Sequence, residues 1–338
     1  MKTLICNAPH DMEYIERDMP KQGANEALIK LKAAGICGTD IHAYTGNQPF
    51  FSYPRVLGHE LCGVVVDVGE DCTNLTIGER VSVIPCVACG SCSACADGKT
   101  NCCENVSLYG VHQDGGFCEY LAVLESNLVK VSDKISDSTA ALTECFAIGA
   151  HAVRRAQLAS RENVLVVGAG PIGIGTSAIA KAQGAKVAVA DVSESRRKYV
   201  EESLGVKALD PLSPDFYDDL KACFSGELAS VVMDATGNKA SMTNSVNLIR
   251  HGGKLVFIGL YIGDLQIDDP TFHKKETTLI SSRNATREDF ETVMSLFDSG
   301  KLKEEMMVNQ EFDFYTFGED YASVVASNPT LIKGVVKY

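Results

Sequence analysis

The chain has 338 residues, of which 45% are hydrophobic and 22% are charged. This composition is typical of a globular protein of about two domains and excludes a disordered chain. The formal net charge of −13, with no compensating cluster of Lys and Arg, argues against nucleic-acid binding, because phosphate backbones repel such a surface.

The sequence predicts neither a membrane span nor a secretory leader. The longest weakly polar run, residues 164–180, is interrupted by glycines and Pro171, and residues 1–18 lack an apolar core. We therefore expect a cytoplasmic protein with no membrane partner. Because thiols stay reduced in that compartment, the odd count of 13 cysteines favours metal ligands or buried thiols over disulfides.

The first part of the chain, from Lys2 to about Val131, is predicted to be mostly β. Short alternating or apolar runs such as ALIKLKAAG, CGVVVDVG, RVSVI and EYLAVL are separated there by Gly, Pro and Asn. Such runs are typical of strands joined by turns.

From Asn163 onward the pattern changes to apolar strands that alternate with amphipathic helices. The predicted strands include NVLVVGAG, KVAVAD, ASVVMDATG and KLVFIGL, and the predicted helices include IGIGTSAIAKAQG, SESRRKYVEESLG and KASMTNSVNLIRHGG. This alternation favours an α/β fold with a parallel sheet and helices on both faces. A helix at REDFETVMSLFDSG and a closing strand at IKGVVKY are predicted after it.

Cysteines cluster between positions 85 and 105. Spacings of three, three and eight separate four of them: Cys89, Cys92, Cys95 and Cys103. A loop with this spacing can wrap one tetrahedral ion with four thiolates, as closed structural zinc sites do. An iron–sulfur cluster is the alternative, but its usual pattern places the fourth Cys after three residues and before a Pro, whereas Glu104 follows Cys103. Cys102 can replace Cys103 on spacing alone, and Cys86 is left over.

The segment VLVVGAGPIG predicts a dinucleotide site, since it follows an apolar strand and opens a helix. Gly168 permits the tight turn, Gly170 lets the backbone approach a pyrophosphate, and Gly173 allows close packing of helix on strand. Asp191 ends the next strand and is placed to bind ribose hydroxyls, which favours NAD because a carboxylate repels the extra phosphate of NADP. Arg196 keeps NADP open, and a glycine-rich turn that binds nothing is the alternative reading.

Further polar residues are scattered over three motifs, GICGTDIH, LGHELCG and LTECFAIGAH. They are Cys37, Thr39, Asp40, His42, His59, Glu60, Glu144 and His151. Each of them alone is more often structural than catalytic.

Taken in order, GICGTDIH, LGHELCG, GSCSACADGKTNCC, GAGPIG and SSRNA resemble the zinc-dependent medium-chain alcohol dehydrogenase family, and within it the sorbitol, threonine and hexonate dehydrogenase branch. The resemblance covers essentially the whole chain. It implies a GroES-like β-rich catalytic domain at 1–145 together with 285–338, and a doubly wound Rossmann domain at 146–284. It also implies an active cleft between the two domains and a homodimer or homotetramer.

The resemblance implies a catalytic zinc in addition to the structural zinc of the four-cysteine loop. Its ligands would be Cys37, His59 and a third group that is either Glu60 or Glu144, with exchange between the two carboxylates during turnover left open. Cys145 is one position away from the matching ligand and is not placed on zinc.

The same resemblance assigns Thr39 to the substrate oxygen and His42 to a proton relay, with a local turn cap as the alternative role of His42. A zinc with an open position lowers the pKa of a bound alcohol, so that hydride can pass to nicotinamide.

The resemblance also places Pro171 and Ile172 against the pyrophosphate. Seven further residues would line the NAD cleft: Thr236, Ile258, Gly259, Leu260, Ser282, Arg283 and Asn284. Turn and core roles remain open for Thr236 and Leu260.

The function expected from this resemblance is NAD-dependent oxidation of a secondary alcohol of a polyol or sugar acid to a ketone. Segments 45–63 and 110–131 resemble bacterial dehydrogenases that act at carbon five of hexonates such as galactonate, gulonate or idonate. Arg283 is a candidate for the substrate carboxylate, although it also fits NAD contact, and His112 is a candidate for lining the cleft. A sorbitol, threonine or butanediol dehydrogenase and a non-catalytic nucleotide-binding sensor are the alternatives.

Overall fold

A computed structural model describes residues 1–48, 51–319 and 321–338 of the chain, so two positions of the segment 45–63 lie outside the described residues. The chain divides into two compact units. The first consists of Met1–Glu144, Thr286–Glu304 and Val308–Tyr338, and the second of Cys145–Ala285 and Glu305–Met307.

The strands of the described residues are numbered here in chain order. They are β1 (Lys2–Ala8), β2 (Asp11–Glu16), β3 (Glu26–Ile36), β4 (Arg55–Val56), β5 (Glu60–Val68), β6 (Arg80–Val83), β7 (Cys86–Val87), β8 (Ser107–Leu108), β9 (Tyr120–Leu124), β10 (Leu128–Lys130), β11 (Asn163–Val167), β12 (Lys186–Ala190), β13 (Lys207–Leu209), β14 (Ala229–Asp234), β15 (Ile249–Phe257), β16 (Thr278–Ser281), β17 (Gln310–Asp313) and β18 (Gly334–Lys337).

The α-helices are numbered in the same way. They are α1 (Gly38–Tyr44), α2 (Ser93–Ala96), α3 (Asp137–Ala141), α4 (Thr143–Arg155), α5 (Pro171–Ala182), α6 (Glu194–Leu204), α7 (Phe216–Cys223), α8 (Lys239–Asn244), α9 (Asp269–Lys274) and α10 (Arg287–Asp298). Short 3₁₀ turns lie at Thr100–Cys102, Glu125–Asn127, Ser245–Asn247 and Glu304–Met306, and a π-helical turn at Ala322–Ala326.

The first unit is built on a large sheet with the strand order β10-β6-β5-β3-β18-β17, to which β9 adds by pairing with β3. A smaller sheet has the order β2-β1-β4, and β7 pairs with β8 in a short hairpin. A buried apolar core that includes Leu31, Leu61 and Phe117 packs between these layers. The central strand β3 therefore has partners on both sides, β5 and β18, which matters for the site below.

The second unit contains a six-stranded sheet with the order β13-β12-β11-β14-β15-β16. All neighbouring strands in it are parallel. When the strands are numbered within the unit, this order is 3-2-1-4-5-6, the doubly wound arrangement of a Rossmann fold. The order reverses between β11 and β14, where ligands bind in sheets of this kind.

The predicted strands and helices agree with the structure in type, and one predicted helix is too long. The segment KASMTNSVNLIRHGG begins as α8 and the 3₁₀ turn, but from Ile249 onward it belongs to β15. Gly252, within β15, has φ +70°, which no helical residue adopts, and a Cβ on Gly253 would lie 2.5 Å from the Ile249 side chain. Within the described residues, no helix is long and apolar enough to span a membrane.

Candidate active site and metal centres

The register of the large sheet brings one group of candidate ligands together. Cys37 directly follows β3, and Glu60, the first residue of β5, is paired with Gly35 of β3. His59 comes immediately before β5 and is almost fully buried. Residues that lie 22 positions apart in the chain thus meet at one end of two paired strands.

The carboxylate of Asp40 fixes the turn that carries Cys37. Cys37 is the N-cap of α1, and its backbone N–H donates to Asp40 Oδ2 at 2.9 Å. The other oxygen of Asp40 accepts from the backbone N–H of Gly58 at 3.0 Å and lies 3.7 Å from His59 Nδ1. Asp40 is fully buried, and its two hydrogen bonds connect the segment before β5 to the start of α1.

Glu60 is held between a glycine and a lysine. A Cβ atom on Gly35 would lie only 2.1 Å from Glu60 Oε2, so the carboxylate occupies space that any other residue at 35 would fill. Glu60 Oε1 accepts from the buried Lys333 Nζ at 2.5 Å. Glu60 Oε2 and His59 Nδ1 are buried and have no hydrogen-bond partner among the described residues.

Cys37, His59 and Glu60 each offer a ligand atom, and these atoms all lie within 4.8 Å of one another. Glu144, at the start of α4, does not belong to this group. It is nevertheless close enough to His59 and Glu60 to interact with their charges. The structure therefore brings one of the two candidate carboxylates into the compact donor group and leaves the other nearby.

The electrostatics of this group favour a cation. Burial alone would lower the pKa of His59, but the negative charges of Cys37 and Asp40 hold it well above its usual range. Burial raises the pKa of Asp40, and burial raises that of Glu144 to about 7 although His59 opposes the shift. Three carboxyl groups and a thiol thus lie close to one lysine and one imidazole, and a bound divalent cation would stabilise their ionised forms.

The donor set fits zinc. Thiolate sulfur, imidazole nitrogen and carboxylate oxygen are the atoms that zinc binds in proteins, and catalytic sites use three of them and keep a fourth position open. Two of the buried atoms at this site, His59 Nδ1 and Glu60 Oε2, lack the partners that buried polar atoms normally have.

Thr39 and His42 are the second and fifth residues of α1, which begins directly after Cys37. Because they are three positions apart on a helix, their side chains share one face. Thr39 is partly buried and His42 is exposed. Thr39 is therefore the less exposed of the two residues, and His42 is accessible to solvent.

The thiol-rich loop forms a second compact group. The sulfurs of Cys89, Cys92, Cys95 and Cys103 all lie within 4.8 Å of one another, and those of Cys92 and Cys95 are 3.4 Å apart. A tetrahedral zinc with Zn–S bonds of about 2.3 Å separates its sulfurs by roughly 3.8 Å, so the spacing fits. Cys102 is exposed and is outside the group, although its spacing in the sequence also allowed it.

Backbone N–H groups prepare this loop for thiolates. Donors from Ser91 and Cys92 lower the pKa of Cys89 to about 5, and a backbone donor from Glu104 lowers that of Cys92. The backbone N–H of Cys89 in turn donates to Cys103 Sγ at 3.2 Å. Four thiols in this arrangement leave no position for a substrate, as in closed structural zinc sites.

The glycine-rich turn lies between β11 and α5, at the point where the strand order reverses. Gly168 has φ +100°, and a Cβ on Gly173 would lie 1.8 Å from the Gly168 carbonyl oxygen, so close packing of helix on turn requires glycine at 173. Gly170 is the N-cap of α5, Pro171 and Ile172 begin the helix, and a Cβ on Gly170 would meet nothing within 4 Å. That open space and the free N–H groups of the first turn suit a pyrophosphate.

Asp191 follows β12 and is fixed by two backbone donors. Its Oδ2 accepts from Ala169 N at 2.6 Å and its Oδ1 from Ser193 N at 2.7 Å. A carboxylate offers about four acceptor sites, so two remain for hydroxyl groups. Arg197 donates to the Asp191 carbonyl at 2.8 Å, whereas the side chain of Arg196 is exposed on α6.

The other predicted NAD residues follow the carboxyl ends of β14, β15 and β16. Thr236 donates to Asp234 Oδ1 at 2.6 Å, so it has a turn role. Gly259 packs so tightly on Gly237 that a Cβ would lie 2.2 Å from its nitrogen. The remaining members are Ile258, Leu260, Ser282, Arg283 and Asn284. Leu260 is 71% exposed, which excludes the core role left open for it.

Two residues that position this site had no role in the sequence-based prediction. Asp40 was noted only as part of a motif, although a carboxylate three positions after a helix-opening residue is a capping signal. Lys333 belongs to the predicted closing strand IKGVVKY. A lysine within such an apolar run indicates a charge with a buried partner, because charges are almost never buried alone. His112, proposed for the cleft, is exposed and accepts from Leu108 N at 3.1 Å.

Models of two protein families match the chain. The alcohol dehydrogenase GroES-like domain matches residues 23–133, and the zinc-binding dehydrogenase domain matches residues 171–299.

Individual relatives match over nearly the whole chain. L-galactonate-5-dehydrogenase of Escherichia coli (strain K12) is 56% identical over 100% of this chain and 99% of its own length. 2-dehydro-3-deoxy-L-galactonate 5-dehydrogenase of Pseudoalteromonas atlantica is 30% identical over 93% of this chain and 92% of its own. The crystal structure of a short chain alcohol dehydrogenase (rspB) from E. coli CFT073, complexed with NADH, has 32% identity and a TM-score of 0.92, and covers 100% of this chain and 99% of that one.

Proposed function

Because the chain belongs to the zinc-binding alcohol dehydrogenases with a GroES-like domain, we propose that it oxidises a secondary hydroxyl of a sugar acid such as L-galactonate, with NAD as the hydride acceptor. The products would be the ketone, NADH and a proton. The observation that carries this proposal is the donor group of Cys37, His59 and Glu60 in a chain that also contains a dinucleotide turn followed by Asp191.

In this proposal Cys37, His59 and Glu60 hold the catalytic zinc, and Glu144 is a nearby carboxylate that does not bind it. Zinc supplies a Lewis acid that makes the substrate hydroxyl easier to deprotonate. Asp40 keeps the turn of Cys37 and the segment of His59 in register through its two backbone hydrogen bonds. The four cysteines of the loop hold a structural zinc that takes no part in the reaction.

The proton released from the hydroxyl needs a path to solvent. Thr39 would accept it through a hydrogen bond to the substrate oxygen, and His42 would pass it on, because the two side chains share one face of α1 and His42 is exposed. Neither residue changes its own net charge over the complete cycle.

The second unit would hold NAD. The first turn of α5 binds the pyrophosphate, and Asp191 accepts hydrogen bonds from the adenosine ribose. Bound NAD supplies the ring that takes up hydride. Residues at the carboxyl ends of β14 to β16 line its cleft, and Arg283 is kept as the candidate for a substrate carboxylate.

Two 5-dehydrogenases of galactonate-type acids among the relatives support the sugar-acid assignment. The test is NADH formation with a panel of L-galactonate, L-gulonate, L-idonate, sorbitol, threonine and butanediol. We expect turnover with a hexonate, and Cys37→Ser should abolish it while NADH binding is kept. Turnover with only sorbitol, threonine or butanediol would contradict the substrate assignment. Bound zinc and NAD without oxidation of any compound would favour a nucleotide-binding sensor.

The cofactor preference has its own test. Asp191→Ser removes the carboxylate that repels the extra phosphate of NADP, so the ratio of kcat/KM for NAD over NADP should fall at least about tenfold, which corresponds to about 1.4 kcal/mol. Steady-state kinetics with both cofactors measure it. Arg196→Ala is the matched control and should leave the preference for NAD in place. Equal use of NADP by the unmodified protein would overturn the assignment.

We further propose that residues 1–145 with 285–338 form the catalytic domain and 146–284 the NAD domain, that the protein works in the cytoplasm, and that it is a homodimer or homotetramer. The cytoplasmic assignment is supported by free thiols in a chain with two candidate zinc sites. Light scattering after gel filtration distinguishes a monomer from a dimer or tetramer.

A further inference from the structure

Lys333 is the only lysine with an almost fully buried side chain in the part of the chain that the structure describes. It lies immediately before β18, and its side chain is 1% exposed. The backbone around it is fixed, since its own N–H donates to Asn309 Oδ1 at 3.1 Å and its carbonyl accepts from Asn309 N at 3.1 Å. A buried ammonium group is costly unless it is paired, so the identity of its partner is informative.

Lys333 is paired with Glu60 at 2.5 Å. Glu60 begins β5 and Lys333 directly precedes β18, and these two strands are not adjacent in the sheet. The central strand β3 lies between them, with Gly35 opposite Glu60 and Ile36 opposite Gly334. Lys333 therefore reaches across β3, where it also donates to the Ile36 carbonyl at 3.1 Å. The crossing is possible because Gly35 has no side chain at the position that the carboxylate occupies.

This pair divides the two oxygens of Glu60 between two tasks. Oε1 binds Lys333, whereas Oε2 is buried without a hydrogen-bond partner. The free oxygen belongs to the residue that meets Cys37 and His59 in the compact donor group. With one oxygen bound to Lys333, the carboxylate cannot rotate freely, and its second oxygen has no competing hydrogen-bond partner among the described residues.

We propose that Lys333 is a positioning residue of the catalytic zinc site, which holds Glu60 by one oxygen and thereby makes it, rather than Glu144, the third ligand. The proposal rests on the proposed function, since it presumes that zinc binds to Cys37 and His59. Lys333 touches neither substrate nor cofactor in this role. Removal of a residue that hydrogen-bonds to a metal ligand typically changes metal affinity by about 10–100-fold.

The experiment measures zinc affinity rather than turnover. The full-length protein, Lys333→Met and Lys333→Arg are dialysed against graded concentrations of a zinc chelator, and the zinc that remains per chain is determined. Cys37→Ser identifies which step of the titration belongs to the catalytic site. We expect Lys333→Met to weaken that step by about 10–100-fold, and Lys333→Arg, which keeps the cation, to weaken it less. The four-cysteine step should stay unchanged in all variants.

Glu60→Gln and the double variant Lys333→Met/Glu60→Gln complete a cycle and also remove the unpaired charge that threatens folding of Lys333→Met. If Lys333 acts through Glu60, the double variant binds zinc as tightly as Glu60→Gln alone. A further loss in the double variant, or an unchanged step in Lys333→Met, would overturn the proposal. Lys275→Met, which removes a partly buried lysine from the second unit, is the matched control and should keep both steps.

The two hypotheses fail in different ways. If the unmodified protein binds one zinc only, in the four-cysteine loop, the proposed function is wrong. If it binds two zinc ions and Lys333→Met does not alter the titration step that Cys37→Ser removes, only the proposed role of Lys333 is wrong.

Discussion

At the scale of single residues, the candidate active site depends on a glycine, Gly35, whose lack of a side chain leaves room for a carboxylate. Gly35 is the last residue but one of β3 and is paired on both sides, with Glu60 of β5 and Val335 of β18. A glycine within a paired strand usually marks a close approach of another group. The approaching group is the Glu60 carboxylate, whose Oε2 lies 2.1 Å from the position of a Cβ on Gly35. Glu60 is fully buried and cannot move outward without separating from Lys333.

Gly35→Ala should therefore displace Glu60 and release the catalytic zinc. We expect zinc content to fall from two to one per chain after mild chelation, and kcat/KM to fall by about 100-fold or more, in keeping with the upper range for lost support of a metal ligand. Metal analysis and steady-state kinetics measure the two effects. Gly38→Ala is the control, because a Cβ there meets nothing within 4 Å. Full zinc content in Gly35→Ala would contradict the argument.

At the scale of elements, the turn between β11 and α5 contains one glycine that packing requires and another that faces open space where a ligand can bind. Gly173 is required by packing, since its Cβ would lie 1.8 Å from a backbone oxygen, whereas Gly170 faces open space. The two glycines belong to one sequence motif but have different physical reasons.

Alanine at position 173 should therefore affect stability, and alanine at position 170 should affect NADH binding. Gly173→Ala should lower the free energy of unfolding by about 1–3 kcal/mol, as overpacking does, because helix and turn must move apart. Gly170→Ala should leave the thermal midpoint within about 2 °C and weaken NADH binding. Thermal unfolding and fluorescence titration with NADH measure them. Loss of stability in Gly170→Ala, or none in Gly173→Ala, would reject this division.

The thiol-rich loop is an element that we expect to depend on a bound metal for its order. Of its four grouped cysteines only Cys103 is buried, so few apolar contacts hold the segment from 85 to 105 in place. Metal binding in such a loop supplies the folding free energy that a core would otherwise supply.

Cys95→Ser should remove the structural zinc and loosen this loop alone. We expect one zinc fewer per chain and at least about tenfold faster proteolytic cleavage between residues 85 and 105. Metal analysis and mass spectrometry of a limited digest measure both. Cys102→Ser is the matched control, since Cys102 lies outside the sulfur group, and it should keep both zincs. Loss of zinc in Cys102→Ser instead would mean that Cys102 is the fourth ligand.

At the scale of the whole molecule, the two units differ in continuity. The first needs both ends of the chain, because β18 pairs with β3. The second is almost entirely the continuous segment Cys145–Ala285, which contains all six strands of the parallel sheet and a core of its own.

A fragment of residues 145–285 should therefore fold on its own. We expect cooperative thermal unfolding and NADH binding without zinc, and a lower midpoint than in the whole protein because the contact of Cys145 with Met307 is missing. Circular dichroism, calorimetry and NADH titration test it. An unfolded fragment would show that the sheet depends on the rest of the chain.

The sequence by itself determined the features that depend on near neighbours. Spacing within one loop predicted a four-cysteine metal site, with Cys102 as an alternative to Cys103. A strand, a glycine turn and a helix in succession predicted the Rossmann unit. Both predictions were possible because each set lies within a short stretch of chain. The resemblance of several motifs then predicted the family that the comparisons confirmed.

Only the tertiary structure decided how distant segments meet. From the sequence, neither Glu60 nor Glu144 was favoured as the third zinc ligand. Lys333 had no predicted role, since nothing local links position 333 to position 60. The register of β5, β3 and β18 brings them together and groups Glu60 with Cys37 and His59. Strand register is set by packing across the whole sheet, and this is the information that local spacing does not contain.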